Sequence, residues 1–168
     1  MDIKEIILEL LHNKMQQLHE QGYARPLDPL GTDRYDSDED LNLHRMGFEK
    51  YQKLKSILDS IEQHASIQEL SQKIPDWKEA LEELIQEEIK HLQESDLARS
   101  NNIEDRYDSP EELQARSLGY DRFSKLSMFQ SRLADLREPD KKPFLQNLSK
   151  KLFGDKSEQL FHEDDIEK

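Results

Sequence analysis

The chain has 168 residues, 37 of them acidic and 24 basic, for a net charge of −13, and it contains no cysteine. Those figures exclude a disulfide framework and thiolate chemistry, and they argue against general nucleic-acid binding, which needs clustered Lys and Arg to meet phosphates. Val is missing and Thr32 is the lone threonine, while Leu, Glu, Gln, Lys, Ile and Ser dominate, so the composition predicts an all-α fold.

The chain begins MDIKEIILELLHNK, with acids at Asp2, Glu5 and Glu9 and no basic stretch, which reads as a helix rather than a signal peptide. Asp2 followed by Glu5 has the form of a capping box, and Ile3, Ile7, Leu10, Leu11, Met15 and Leu18 recur at helical spacing. No apolar run approaches the roughly 18 residues of a membrane span. A soluble, cytoplasmic protein is the expectation.

The segment DRYDSDEDLNLHRMGFEKYQKL, starting at Asp33, returns at Asp105 as DRYDSPEELQARSLGYDRFSKL. Aligning Asp33–Ile57 with Asp105–Phe129 needs no gap, and ten of the 25 positions are identical, including Asp33/Asp105, Arg34/Arg106, Tyr35/Tyr107, Asp36/Asp108, Ser37/Ser109 and Gly47/Gly119. Lys50 pairs with Arg122 and Tyr51 with Phe123. With two residues gapped in the loop, the likeness extends upstream: DIKEIILELL at Asp2 matches DWKEALEELI at Asp76, and YAR at Tyr23 matches LAR at Leu97. An internal repeat governs how every motif is read. Residues 1–72 and 73–140 are therefore expected to be two copies of a helical hairpin, closing into one pseudo-twofold four-helix bundle over residues 1–140.

Within each unit Ser37 or Ser109 stands at an N-cap position, with Asp40 or Glu112 three residues on and Pro110 at the first helical position. The helices that follow carry apolar stripes through Leu41, Phe48, Tyr51, Leu54, Leu58 and Ile61, and through Leu113, Tyr120, Phe123, Leu126, Phe129 and Leu133. Gly47 and Gly119 fall inside those helices, where Gly costs about 1 kcal/mol relative to Ala, and their recurrence predicts a close approach of two helix backbones. Asp76 with Glu79 predicts a second capping box, ahead of the stripe Trp77, Leu81, Leu84, Ile85, Ile89 and Leu92. Capping does not account for Arg34, Tyr35, Arg106 or Tyr107. They either latch the long loops onto the bundle or, with Asp33, Asp36, Asp105 and Asp108, form a doubled surface where a partner docks.

Pro139 and Pro143 end the second unit. In residues 141–168, Phe144, Leu145, Leu148, Leu152 and Phe153 share one helical face beside Lys141, Lys142, Lys150 and Lys151. This predicts a short basic amphipathic helix that packs on the bundle, on a partner or on a membrane surface, followed by an acidic, disordered tail from about His162.

For chemistry, the strongest pattern is a pair of Glu-x-x-His spacings, Glu9 with His12 and Glu88 with His91, as in carboxylate-bridged di-metal bundles. Against it, His12 aligns with Gln86 and His91 with Gln17, so the repeat does not carry the pattern. The five glycines are scattered and build no phosphate loop. The expectation is a non-enzymatic acidic binding protein without a cofactor, engaging a basic protein of the kind that inhibitors, immunity proteins and adaptors bind. The alternatives are a metal-dependent enzyme using Glu9, His12, Glu88 and His91, and a self-associating structural bundle, a homo-oligomer.

Overall fold

A computed structural model describes residues 2–135, and they are helical throughout, with no strand among them. The helices are α1 (Ile3–Glu20), α2 (Asp38–Glu62), α3 (Ile67–Lys73), α4 (Trp77–Glu94) and α5 (Pro110–Asp135), with a 3₁₀ turn over Ile103–Tyr107. The basic segment and acidic tail expected over 141–168 lie outside the described residues.

The four expected helices are present, with 18, 25, 18 and 26 residues in chain order. Asp2 and Glu5 form the expected capping box on α1. Ser37 accepts from the Asp40 N–H, and Ser109 and Glu112 exchange bonds reciprocally.

Two local expectations fail. Helix α3, only seven residues long, was not foreseen; the Ser66–Glu69 capping box starts it, and it sinks Leu70 beside the buried Ile74 of the turn that follows. Asp76 does not cap α4 with its side chain, because its carboxylate is taken by Lys53 of α2. The turn into α4 is held instead by the tryptophan, whose Nε1–H donates to Ser71 Oγ at 3.0 Å.

α1 packs on α2 and α4 on α5, while α1–α4, α1–α5 and α2–α4 contacts join the pairs. Ion pairs fix direction: Lys50 meets Glu83 and Lys53 meets Asp76, so rising positions on α2 meet falling positions on α4. The two helices are therefore antiparallel. Tyr23, just past the end of α1, meets His44 and Gly47 in the first half of α2. α2 thus turns back along α1, and α1 runs parallel to α4. The loops after α1 and α4 lie at one end of the molecule.

The core gathers Ile6, Ile7 and Leu11 of α1, Leu54, Ile57 and Ile61 of α2, Trp77, Leu81 and Ile85 of α4, and Leu126, Phe129 and Leu133 of α5. Each such buried aliphatic contributes about 1.5–3 kcal/mol relative to exposure. The stripes expected at the starts of α2 and α5 are not buried to the same depth: Leu41, Phe48 and Leu113 are half-buried and Tyr120 is exposed. α2 and α5 exceed α1 and α4 by seven and eight residues, about two turns. Those extra turns carry the loops. No helix among the described residues is long and apolar enough to cross a membrane.

Candidate functional site

Each loop leaves its helix through the same turn. At the end of α1 the Gly22 N–H donates to His19 O and the Tyr23 N–H to Leu18 O; at the end of α4 Asp96 donates to Gln93 O and Leu97 to Leu92 O. These are Schellman motifs, which need a left-handed residue. Gly22 supplies it at φ +83°, and Asp96, one of the few residue types that tolerate it, at φ +56°.

The turn drives Tyr23 and Leu97 onto the next helix, which explains the paired glycines. A Cβ on Gly47 would stand 2.5 Å from the Tyr23 ring, and one on Gly119 would stand 2.6 Å from Leu97 Cβ and 3.0 Å from its carbonyl oxygen. The close approach is real, but the approaching group is a loop residue rather than a second helix.

Each loop is then closed by a buried aspartate. Arg25 donates to Asp33 through Nη1 at 2.8 Å and Nη2 at 2.5 Å, and the Asp28 N–H adds a bond of 2.9 Å. Arg99 holds Asp105 at 2.8 and 2.7 Å, with the Asn102 N–H at 2.7 Å. Asp33 is 3% and Asp105 4% exposed. Bidentate guanidinium bonds are the chief cause, and the backbone N–H bonds the next, of both carboxyls being held well below the usual aspartate range.

The repeated motif therefore divides. Asp33 and Asp105 turn inward as the latch, in place of the Arg and Tyr that sequence reasoning considered for that role. Arg34 and Tyr35, and Arg106 and Tyr107, face outward: each guanidinium lies over its neighbour's ring at 4.6 Å, and Tyr35 and Tyr107 are 85% and 82% exposed. Asp36 is exposed, whereas Asp108 is half-buried against Arg116 at 2.9 Å. Each loop also carries an exposed aliphatic residue, Leu30 in the first and Ile103 in the second.

Arg25 and Arg99 were visible as the repeated Ala-Arg dipeptide, but nothing in the sequence joined them to the aspartates downstream. Leu30 and Ile103 fall outside the gapless alignment and gave no signal.

The two latches differ in their further partners: Arg99 also holds Asp96, where the first latch has Gly22, and the place of His44 is taken by Arg116. In the first, buried His44 donates from Nε2 to Arg25 O at 3.0 Å and meets the Tyr23 ring edge-on at 5.7 Å. In the second, Arg116 takes that position and reaches Asp105 at 3.0 Å, Asp108 at 2.9 Å and Asn101 at 3.4 Å.

The metal-ligand candidates are only partly assembled. Glu9 and Glu88 meet on Arg122, which donates to them at 3.1 and 2.7 Å, so a guanidinium sits between the two carboxylates. His12 is exposed and bonded through Nδ1 to Leu8 O at 2.8 Å, and His91 is exposed on α4. Among the described residues no three His, Asp or Glu side chains gather as a metal site would require. Comparisons of the chain with protein-family models, with curated proteins and with solved structures find no match, so a functional reading rests on geometry alone.

Proposed function

We infer that the chain is a non-enzymatic binding protein that engages a basic protein through the end of the molecule carrying the two loops. In this reading the hairpins 1–72 and 73–140 are two copies of one unit, arranged as a pseudo-twofold four-helix bundle. The pairing of Lys50 with Glu83 and of the aligned Arg122 with Glu9 supports that arrangement. The observation that carries the function is the twice-repeated Arg-on-Tyr stack, held out in solvent on a loop that also exposes an aliphatic residue, while the adjacent aspartate anchors the loop. Tyr and Arg are the residues that most often anchor interfaces, and pre-anchored loops lose little freedom on binding.

Charge selects the partner. Around the first stack lie exposed Asp28, Asp36, Asp38, Glu39 and Asp40, and around the second exposed Glu104, Glu111 and Glu112. Such a field speeds encounter with a cationic surface and repels a second copy of this chain.

The test is affinity capture from source-cell lysate at near-physiological salt, comparing wild type with a quadruple variant, Arg34→Ala, Tyr35→Ala, Arg106→Ala and Tyr107→Ala. Loss of one stoichiometric basic protein from the variant, with helicity unchanged by circular dichroism, is expected. Equal capture by both proteins would refute the loops as the contact surface.

A further inference from the structure

We propose that the groove between α2 and α4 is a second docking site, shaped for a short basic amphipathic helix of a protein partner. The evidence is an asymmetry between two faces that align residue by residue. On the α5–α1 face Ile6 is 1% exposed, and the hollow between those helices is smaller, about 220 Å³, lying towards the helix ends at Ile3, Met128 and Phe129. The residue aligned with Ile6 on the α2–α4 face is Ala80, three carbons smaller, and there a groove of about 500 Å³ opens. Leu43 and Met46 wall it, 56% and 58% exposed, where the other face carries Ala115 and Leu118.

The rim gives the occupant its charge. The groove's two lysines are already engaged, Lys50 by Glu83 and Lys53 by Asp76. Glu49 and Glu79 remain on the rim, exposed and without a polar partner among the described residues. An apolar trough edged by two uncompensated carboxylates suits a helix that inserts Leu or Phe at i and i+4 and sets Lys or Arg on either side. Met46 adds an unbranched wall that adapts to the inserted side chain. A second copy of this chain, net charge −13, would meet repulsion there.

The experiment uses the full chain and a fluorescent, amidated Leu/Lys peptide of about 18 residues, long enough for roughly five helical turns. Anisotropy is read at about 150 mM salt, where distant surface attraction is screened. Saturable one-to-one binding is expected. Ala80→Ile, which copies the α5–α1 face, should weaken it about tenfold or more while melting at or above the wild-type temperature. The loop variant Arg34→Ala with Arg106→Ala should bind the peptide as wild type does, so this site and the loop surface fail or stand separately.

The chain has no cysteine, so Met46→Cys carrying a benzophenone maleimide reports the occupant directly. Cross-links to the peptide are expected. Cross-links to residues 141–153 of the same chain or to a second copy would overturn the assignment. So would equal affinity for Ala80→Ile, loss of binding in the loop variant instead, or no saturable binding at all.

Discussion

The two loops share the closing run Asp-Arg-Tyr-Asp-Ser but differ in the cations that brace it, and the difference moves the weight of the structure. Asp33 answers to one guanidinium, Arg25, while His44 steadies that arginine from behind through its carbonyl. Asp105 answers to two, Arg99 and Arg116, and Arg116 goes on to tie down Asp108 and Asn101. The segment around the second aspartate winds into a 3₁₀ turn; the first does not. A latch of one bidentate ion pair thus keeps a loop closed, and a second fixed cation adds bracing that draws Asp108 in while the Arg–Tyr stacks stay outward. The exposed Arg–Tyr stacks have the same 4.6 Å geometry in both loops.

The comparison is broken most forcefully at the latches themselves. Asp105→Asn should give the largest fall in melting temperature, several degrees, because it weakens the partner that Arg99 and Arg116 share, and Asp33→Asn, which touches one arginine, should give a smaller one. The same groups set the acid limit. Their folded carboxyls titrate below the ordinary value of 3.8, so the stability they add is present above that pH and is lost as pH falls towards the lowered folded values. Thermal melts from pH 7 down to about 3 should therefore fall steeply for wild type and less steeply for the Asp33→Asn, Asp105→Asn double variant.

The glycines sharpen the contrast next. Gly119→Ala should destabilise by about 1–3 kcal/mol in urea unfolding, through overpacking, since part of what it meets is the Leu97 backbone. Gly47→Ala should cost less, because every atom it meets belongs to the Tyr23 side chain and none to the backbone.

Smaller still are the caps. Ser109→Ala and Ser37→Ala should each cost about 1 kcal/mol, because each hydroxyl accepts from the backbone N–H three residues on. At the bottom of the scale, Arg34→Ala and Arg106→Ala should each change unfolding free energy by no more than about 0.5 kcal/mol. A larger loss would mean that the outward stacks help to hold the loops.

What the sequence made legible was whatever is decided within one turn of the chain. Helix starts at Asp2, Ser37 and Ser109 could be read because a cap and its partner lie three residues apart. The same reasoning failed at Asp76, where Lys53, 23 residues earlier, competes for the carboxylate. Glu9 and Glu88, weighed in the sequence as metal ligands with His12 and His91, each accept from Arg122 of α5, a partner that spacing within α1 or α4 could not reveal. Apolar periodicity found the four long helices, yet it could not tell that the first turns of α2 and α5 outrun α1 and α4. Nor did it foresee that Tyr120, further along α5, is exposed. The repeated motif marked both loops but not which of their residues turn in, because the partners Arg25 and Arg99 lie in a stretch where the two segments differ in length.

The latches also bear on how quickly the chain organises itself. Arg25 reaches a partner eight residues away and Arg99 one only six away. Closing segments of that size takes on the order of 10–100 ns, far less than any search that brings distant helices together. Each hairpin can therefore register its own corner before the other exists, and mostly local contacts of this kind favour rapid folding. The slow step left is the meeting of the two hairpins along α1 and α4, a collision between parts already shaped.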